Sequence, residues 1–312
     1  MQDSQPLVSI LTDTKNRAHL ISRCIESIQN QTYTNYEHII ADGGTDNTEE
    51  IVKSYNDSRI KYVKVPEGGP VKQTLTSFNI SSGKFITFLD DDDEYLPEKI
   101  EKQLELIQSL PDDYGFIYGS MSYYDNKTNK FLYNHVAEYN GGIELLNIAV
   151  SNPVICGTPT LMFRREAFIS IGSTWVAGIG NERSDWAMAC KTLKKGWKVA
   201  PLKESYLKIY VNHSSTRMSS MHFYSDTYKR YIKFHEYFLN EYSEIFAENI
   251  SLAKTHYYQL APSYIMIGNI RKGVSYWKKL LKSSISIKNI LILPYYILKL
   301  IAGKLVAYIH IH

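Results

Sequence analysis

Between residues 7 and 110, short apolar runs alternate with segments of helical periodicity, and this rhythm limits the fold more than any other feature of the chain. Leu7-Val8-Ser9-Ile10-Leu11, Tyr36 to Ala41, Ile60 to Val65 and Phe85 to Leu89 read as buried strands. Between them the spacing predicts helices over Ala18–Gln31, Asn47–Tyr55, Pro70–Ser82 and Pro97–Leu110. Strands that alternate with helices build a mostly parallel sheet flanked by helices on both faces, an α/β fold. Polar clusters follow three of the strands: Thr12 to Arg17, Asp42 to Asp46 and Asp90 to Glu94. In open α/β sheets ligands bind at the carboxyl ends of the strands, so one site where these loops converge is expected. Residues 115–211 are less regular and are expected to add mixed strands and a second wall. Within them Asp185 to Lys195 reads as a short helix stopped by Gly196.

Four consecutive carboxylates, Asp90-Asp91-Asp92-Asp93, close the apolar run Phe-Ile-Thr-Phe-Leu. Their mutual repulsion requires cations or open solvent. A solvated acidic turn accounts for one or two of them; four favour a site for Mg²⁺ or Mn²⁺ that bridges to substrate phosphates. Asp42-Gly43-Gly44 also suits a plain strand-to-helix turn, Asn47 a helix cap, and Arg17 a surface ion pair. Cys24, Cys156 and Cys190 are too few and too scattered for a disulfide framework or a zinc knuckle, and read as buried reduced thiols. With 44% apolar and 21% charged residues, disordered and collagen-like classes are excluded.

The stretches PLVSILTDTKNRAHL, IESIQNQTYTNYEHIIADGGTDNTEEIV, GGP and SGKFITFLDDDDEYLPEKIEKQ resemble, in that order, the amino-terminal half of a family-2 glycosyltransferase. The likeness is close over residues 6–110 and looser over 150–215. It implies the Rossmann-like GT-A fold and an inverting, metal-dependent transfer of sugar from a nucleoside-diphosphate sugar, with a UDP-sugar as first choice. By the same resemblance Thr14, Asn16 and Arg17 lie against base and ribose, and Asp42 accepts a hydrogen bond from a pyrimidine. Asp90 faces the ribose, Asp91 fills the variable middle position, and Asp92 takes the Mn²⁺ or Mg²⁺ ion. Asp93 shapes the loop. Asp185 matches the family's catalytic base, with Glu182 as substitute, although Asp185 also stands where a helix cap belongs. His213 matches a late metal or phosphate ligand, and Arg217 a diphosphate contact. Gly157 to Thr160 with Arg164 and Arg165 resembles the segment lining the sugar and acceptor cleft, unless the arginines are surface charges. The chain departs from the pattern at Asp13 and Lys15, where Pro and Tyr are common, and at Leu75, where Asn is usual. The turn after Asp42 is one residue short. These departures bear on the nucleotide more than on the reaction. A sugar-phosphate nucleotidyltransferase is the alternative, but its glycine-rich first loop is missing from Thr-Asp-Thr-Lys-Asn-Arg. A non-catalytic binding protein of the same fold is disfavoured by the intact aspartate run.

The carboxyl-terminal part differs in kind. From Asn249 to His312 there are nine Lys or Arg and no Asp or Glu. Two domains are therefore expected: residues 1–218 as the GT-A domain and 219–312 as a basic, helical appendage. Residues 285–311 are apolar but interrupted by Lys288, Pro294, Lys299 and Lys304, short of a clean membrane span. No secretory signal precedes the first strand. A cytoplasmic protein is expected, bound peripherally to the cytoplasmic face of the inner membrane through its basic tail, or with that tail packed on the catalytic domain or on a second copy in a homo-oligomer. A saccharide or lipid-linked saccharide is the expected acceptor, in bacterial surface-polysaccharide or glycolipid assembly. No nucleic-acid motif accompanies the basic residues.

Overall fold

A strand buried on both faces belongs inside a sheet, and β1 (Val8–Thr14) sits between β2 (Tyr36–Asp42) and β4 (Phe85–Phe88), parallel to both. The computed structural model describes residues 5–66, 69–155, 157–172, 184–211 and 224–309. β3 (Ile60–Lys64) runs parallel on the far side of β2. The crossovers are α1 (Ala18–Gln29), α2 (Thr48–Ser54) and α3 (Pro70–Ile80). α1 buries Ile21, Cys24, Ile25 and Ile28, the three- and four-residue stripe of the sequence. Cys24 and Cys190 are buried free thiols; Cys156 lies outside the described residues.

Past β4 the chain forms β5 (Glu94–Tyr95), α4 (Lys99–Ser109), β6 (Tyr114–Asp125), β7 (Phe131–His135) and α5 (Leu146–Ser151). β8 (Leu161–Arg164), α6 (Arg165–Ser170), α7 (Ser184–Lys194) and β9 (Lys198–Val211) follow. The sheet order is β3-β2-β1-β4-β8-β6-β9-β5, with β7 paired to β6. Its first four strands are parallel; beyond them only the β6–β9 pairing is parallel, so the second half is mixed as expected. The helix expected from Pro97 starts at Lys99; the Pro97 carbonyl accepts the Thr32 N–H at 2.8 Å instead, and Glu94 and Tyr95 before it pair with β9. Asn47 makes no side-chain cap; Asp46 Oδ1 accepts the Thr48 N–H of α2 at 3.3 Å and its hydroxyl at 2.6 Å, and Oδ2 accepts the Ala18 N–H of α1 at 2.9 Å. Gly196, at φ +89°, follows the end of α7 as read from the sequence.

The described residues fall into two compact units. The first holds every described strand. The second contains Asn147–Pro153 and the helices from Tyr224 onward. These are α8 (Tyr224–Glu241), α9 (Ser243–Glu248), α10 (Lys254–Met266), α11 (Ile270–Ser283) and α12 (Ile287–Ile309). Buried His235 and His256 join α8 to α10 through their Nδ1 atoms at 2.9 Å, and His256 Nε2 reaches the Val150 carbonyl at 2.8 Å. Among the described residues no helix is long and apolar enough to cross a membrane.

Candidate active site

The parallel register aligns the carboxyl ends of the first strands: Thr14 lies opposite Asp42, and Leu11 opposite Phe88. The three polar loops therefore meet. Asn16, at φ +54°, turns its Oδ1 to the Thr45 N–H at 2.7 Å and ties the first loop to the second. Gly44 is required at this seam, since a Cβ there would lie 2.5 Å from the Asn16 backbone nitrogen. Asp42 has no exposed surface; its carboxylate accepts from the Gly44 N–H (2.6 Å), the Tyr62 hydroxyl (2.8 Å) and Lys64 Nζ (2.7 Å). Gln73, buried on α3, clamps the ends of β1 and β2 by donating to the Thr14 and Ala41 carbonyls at 2.7 and 2.8 Å.

The acidic run folds against the first loop. Asp91, Asp92 and Asp93 are buried, while Asp90 is exposed. Arg17 bridges two of them, with Nη1 at 2.8 Å from Asp91 Oδ1 and Nη2 at 2.5 Å from Asp92 Oδ2. The Thr14 hydroxyl donates to Asp91 Oδ2 at 2.7 Å. Asp93 Oδ1 accepts the Tyr210 N–H of β9 at 3.0 Å, which ties the loop to that strand. Arg23 of α1 donates to the Asp92 carbonyl and lies 3.7 Å over the Tyr210 ring. Burial pushes the Asp91 carboxyl up to about 7 against the pull of Arg17. Burial likewise raises Asp13 to about 8, opposed by its hydrogen bond from Thr74 and helped by Asp90 and Asp91. Its Oδ1 is buried without a hydrogen-bond partner. The cluster thus concentrates negative charge at the strand ends and offsets part of it with one guanidinium.

Asp90, Asp92 and Asp93 each offer a carboxylate oxygen, and these atoms lie within 4.8 Å of one another. Three hard oxygen donors suit Mg²⁺ or Mn²⁺, and exposed Asp90 puts one of them at the surface. The residues present fit such an ion.

Asp185 lies on a separate element, in the first turn of α7. Its Oδ2 accepts the Gly157 N–H at 2.5 Å and its Oδ1 the Trp186 N–H at 2.9 Å. Gly157, at φ +88°, opens the turn Thr158–Thr160 that leads into β8. His213, Glu182 and Arg217 lie outside the described residues. Arg164 is neither a cleft residue nor a surface charge: it is buried and donates to the carbonyls of Tyr114 (2.9 Å) and Ile107 (2.8 Å), satisfying the end of α4. Arg165 likewise holds the Gly83 carbonyl at 2.5 Å and the Ser81 hydroxyl at 2.7 Å. Gln73, Arg23 and Tyr210 were not legible as site residues. Each acts through a partner at least 32 positions away, and none carries a local motif.

The glycosyl transferase family 2 model matches residues 9–172. Among curated proteins, the chain is 32% identical over 163 residues to the UDP-Glc:alpha-D-GlcNAc-diphosphoundecaprenol beta-1,3-glucosyltransferase WfgD of Escherichia coli, covering 48% of this chain and 62% of that protein. It is 30% identical over 209 residues to TuaG of Bacillus subtilis, named for teichuronic acid biosynthesis, covering 65% of this chain and 79% of that one. The match thus spans less than two thirds of the length of WfgD. Among solved structures, S. aureus TarS 1-349 in complex with UDP-GlcNAc superposes with a TM-score of 0.62 at 15% identity, over 95% of this chain and 88% of that chain. The mannosyltransferase PcManGT from Pyrobaculum calidifontis, in complex with GDP-Man and Mn²⁺, gives 0.53 at 14% identity, over 94% and 80%. At such identities the likeness establishes the fold, which is GT-A. The matched segment covers more than half of the sequence and carries all three converging loops, so the chain belongs to glycosyl transferase family 2.

Proposed function

We propose that this chain transfers a sugar from a nucleoside-diphosphate sugar to a hydroxyl acceptor with inversion at the anomeric carbon. The observation that carries the reading is the meeting of residues 14–17, 42–46 and 90–93 at one sheet edge, with Arg17 across Asp91 and Asp92. Thr14, Asn16 and Asp42 shape the base and ribose side, and Asp90 and Asp91 complete it. Asp92, with Asp90, Asp93 and His213, would hold a divalent cation, whose charge offsets that developing on the leaving diphosphate. Arg17, on the base and ribose side with Thr14 and Asn16, holds Asp91 and Asp92 in place. Asp185, its orientation held by two backbone N–H groups, takes the proton of the acceptor hydroxyl as it attacks. In this reading residues 1–218 form the catalytic domain and 219–312 a basic helical region. A UDP-sugar is the first choice of donor, supported by the names of WfgD and the TarS complex. A lipid-linked saccharide in surface-glycan assembly is the acceptor class, supported by the diphosphoundecaprenol in the name of WfgD. That acceptor puts the enzyme at the cytoplasmic face of a membrane, attached peripherally.

The test incubates the purified chain with UDP-Glc, UDP-GlcNAc and GDP-Man, with and without Mn²⁺, and follows release of the nucleoside diphosphate as the sugar passes to water, the hydroxyl acceptor present in the assay. Release from one donor is expected, dependent on Mn²⁺ and abolished in Asp92→Asn. If no donor is turned over and none shifts the melting temperature, the reading is wrong.

A further inference from the structure

α12 is apolar on two sides. One side is spent within its own unit: Ile292 and Leu293 are buried where α12 packs on α10 and α11, and Trp277 of α11 donates to the Asn289 carbonyl at 2.9 Å. The other side is open. Ile287, Leu291, Tyr295, Leu298 and Ile301 recur at three- and four-residue steps and are 78%, 56%, 59%, 66% and 50% exposed. Ile285, just before the helix, is 81% exposed. A contiguous apolar stripe of this kind on a helix already held in place marks a contact surface.

Charge identifies the occupant. After Glu248 the sequence contains no acidic residue. Lys288 at the flank of the stripe, and Lys278, Lys279 and Lys282 on α11, are exposed. Every charged residue of α11 and α12 is a lysine or an arginine, a pattern that a protein groove taking this stripe would not require. An anionic lipid surface calls for both features: apolar side chains at the level of the acyl chains, and lysines and a tyrosine at the level of the phosphates. Among the described residues the helix is not long and apolar enough to cross a bilayer, and its two apolar sides suit a position along the surface.

We propose that α12 docks in the plane of an anionic bilayer, inserting Ile287, Leu291 and Leu298 below the headgroups while the α11 and α12 lysines engage the lipid phosphates. This docking rests on the membrane setting proposed above; the sugar transfer does not depend on it. The test is co-sedimentation of the full chain with vesicles of phosphatidylglycerol and phosphatidylethanolamine, and with vesicles of phosphatidylcholine alone. Binding to the anionic vesicles is expected, about tenfold or more above phosphatidylcholine, and weakening with salt. Leu291→Glu with Leu298→Glu should remove it, leaving the circular dichroism spectrum and donor turnover in solution unchanged. Lys278→Gln with Lys282→Gln and Lys288→Gln, which touches no apolar residue, should weaken it on its own. Equal sedimentation of parent and either variant overturns the proposal. So does a dimer in the parent that the leucine variant converts to monomer without any vesicle binding. Intact vesicle binding, with no donor turned over and none shifting the melting temperature, would refute the transfer reaction and leave the docking standing.

Discussion

Replacing Arg17 with Met tests whether the acidic loop depends on a cation. In the parent one guanidinium sits 2.8 Å from Asp91 and 2.5 Å from Asp92, whose side chains are only 2% and 4% exposed. Each ion pair at about 4 Å between charge centres is worth about 4 kcal/mol of attraction at an effective dielectric constant near 20. Most of that attraction offsets the cost of burying the charges. Deleting one partner leaves the cost standing, and breaking a buried pair costs about 3–5 kcal/mol. For a unit of this size that is a fall in melting temperature on the order of 10 °C. The loss has a sign in pH. The Asp91 carboxyl already sits near 7 through burial, and without Arg17 it rises further. A carboxyl raised in the folded state favours folding while protonated and loses that contribution as pH rises, so Arg17→Met should be hurt more at pH 8 than at pH 6. Mn²⁺ should restore more stability to the variant than it adds to the parent, because it supplies the missing charge. Thermal melts at the two pH values, with Mn²⁺ or EDTA, measure all of this. Arg59→Met is the control: its side chain is 34% exposed beside Asp57, and its removal should cost under about 1 kcal/mol. If Arg17→Met melts within about 2 °C of the Arg59→Met control at pH 8, the argument fails.

Asp185→Asn keeps an oxygen for the Gly157 N–H, loses the bond from the Trp186 N–H, and cannot take a proton. Steady-state kinetics should show kcat down by about 10²–10⁴-fold with the melting temperature little moved; unchanged kcat would remove Asp185 as base. Glu37 sits at the amino end of β2. Burial raises its carboxyl, but the hydrogen bonds from Lys61, the Ser82 N–H and Ser9 together outweigh it and bring it down to about 2. A depressed carboxyl contributes stability above its unfolded value that is lost as pH falls through the folded one, so denaturant melts should weaken from about pH 5 to pH 2. Glu37→Gln should flatten that slope and cost about 1–3 kcal/mol at pH 7. Lys99 is buried with Nζ at 2.5 Å from the Thr87 hydroxyl and 2.7 Å from that of Tyr95, and burial holds it well below the usual lysine range. Its neutral folded form makes stability rise with pH between the folded and unfolded values. Lys99→Met should melt no lower than the parent at pH 7, because Thr87 and Tyr95 still bond to each other at 3.0 Å; a large fall would show that the amine itself holds the site.

The rhythm of strands and helices was legible because burial period is a local property: a run such as residues 7–11 has nowhere to go but the middle of a sheet, and the stripe of α1 needs only its own residues. The convergence of the three polar loops followed from that order alone, since parallel strands bring like ends together. What those loops do to one another was not legible. Arg17 and Asp92 are 75 positions apart, and the sequence carried no sign that a guanidinium stands among the aspartates. Gln73, 59 residues from Thr14, was hidden for the same reason.

The arginines of β8 and α6 make the contrast plain. Sequence left Arg164 and Arg165 between cleft and surface, and the fold turned both onto carbonyls that their neighbours leave unsatisfied. Residue type and spacing determined which segments pair and where a site must form, because secondary structure and strand direction depend on neighbours along the chain. Only the folded chain decided which charge meets which, because hydrogen bonds and ion pairs act over a few ångströms and their partners are chosen by packing.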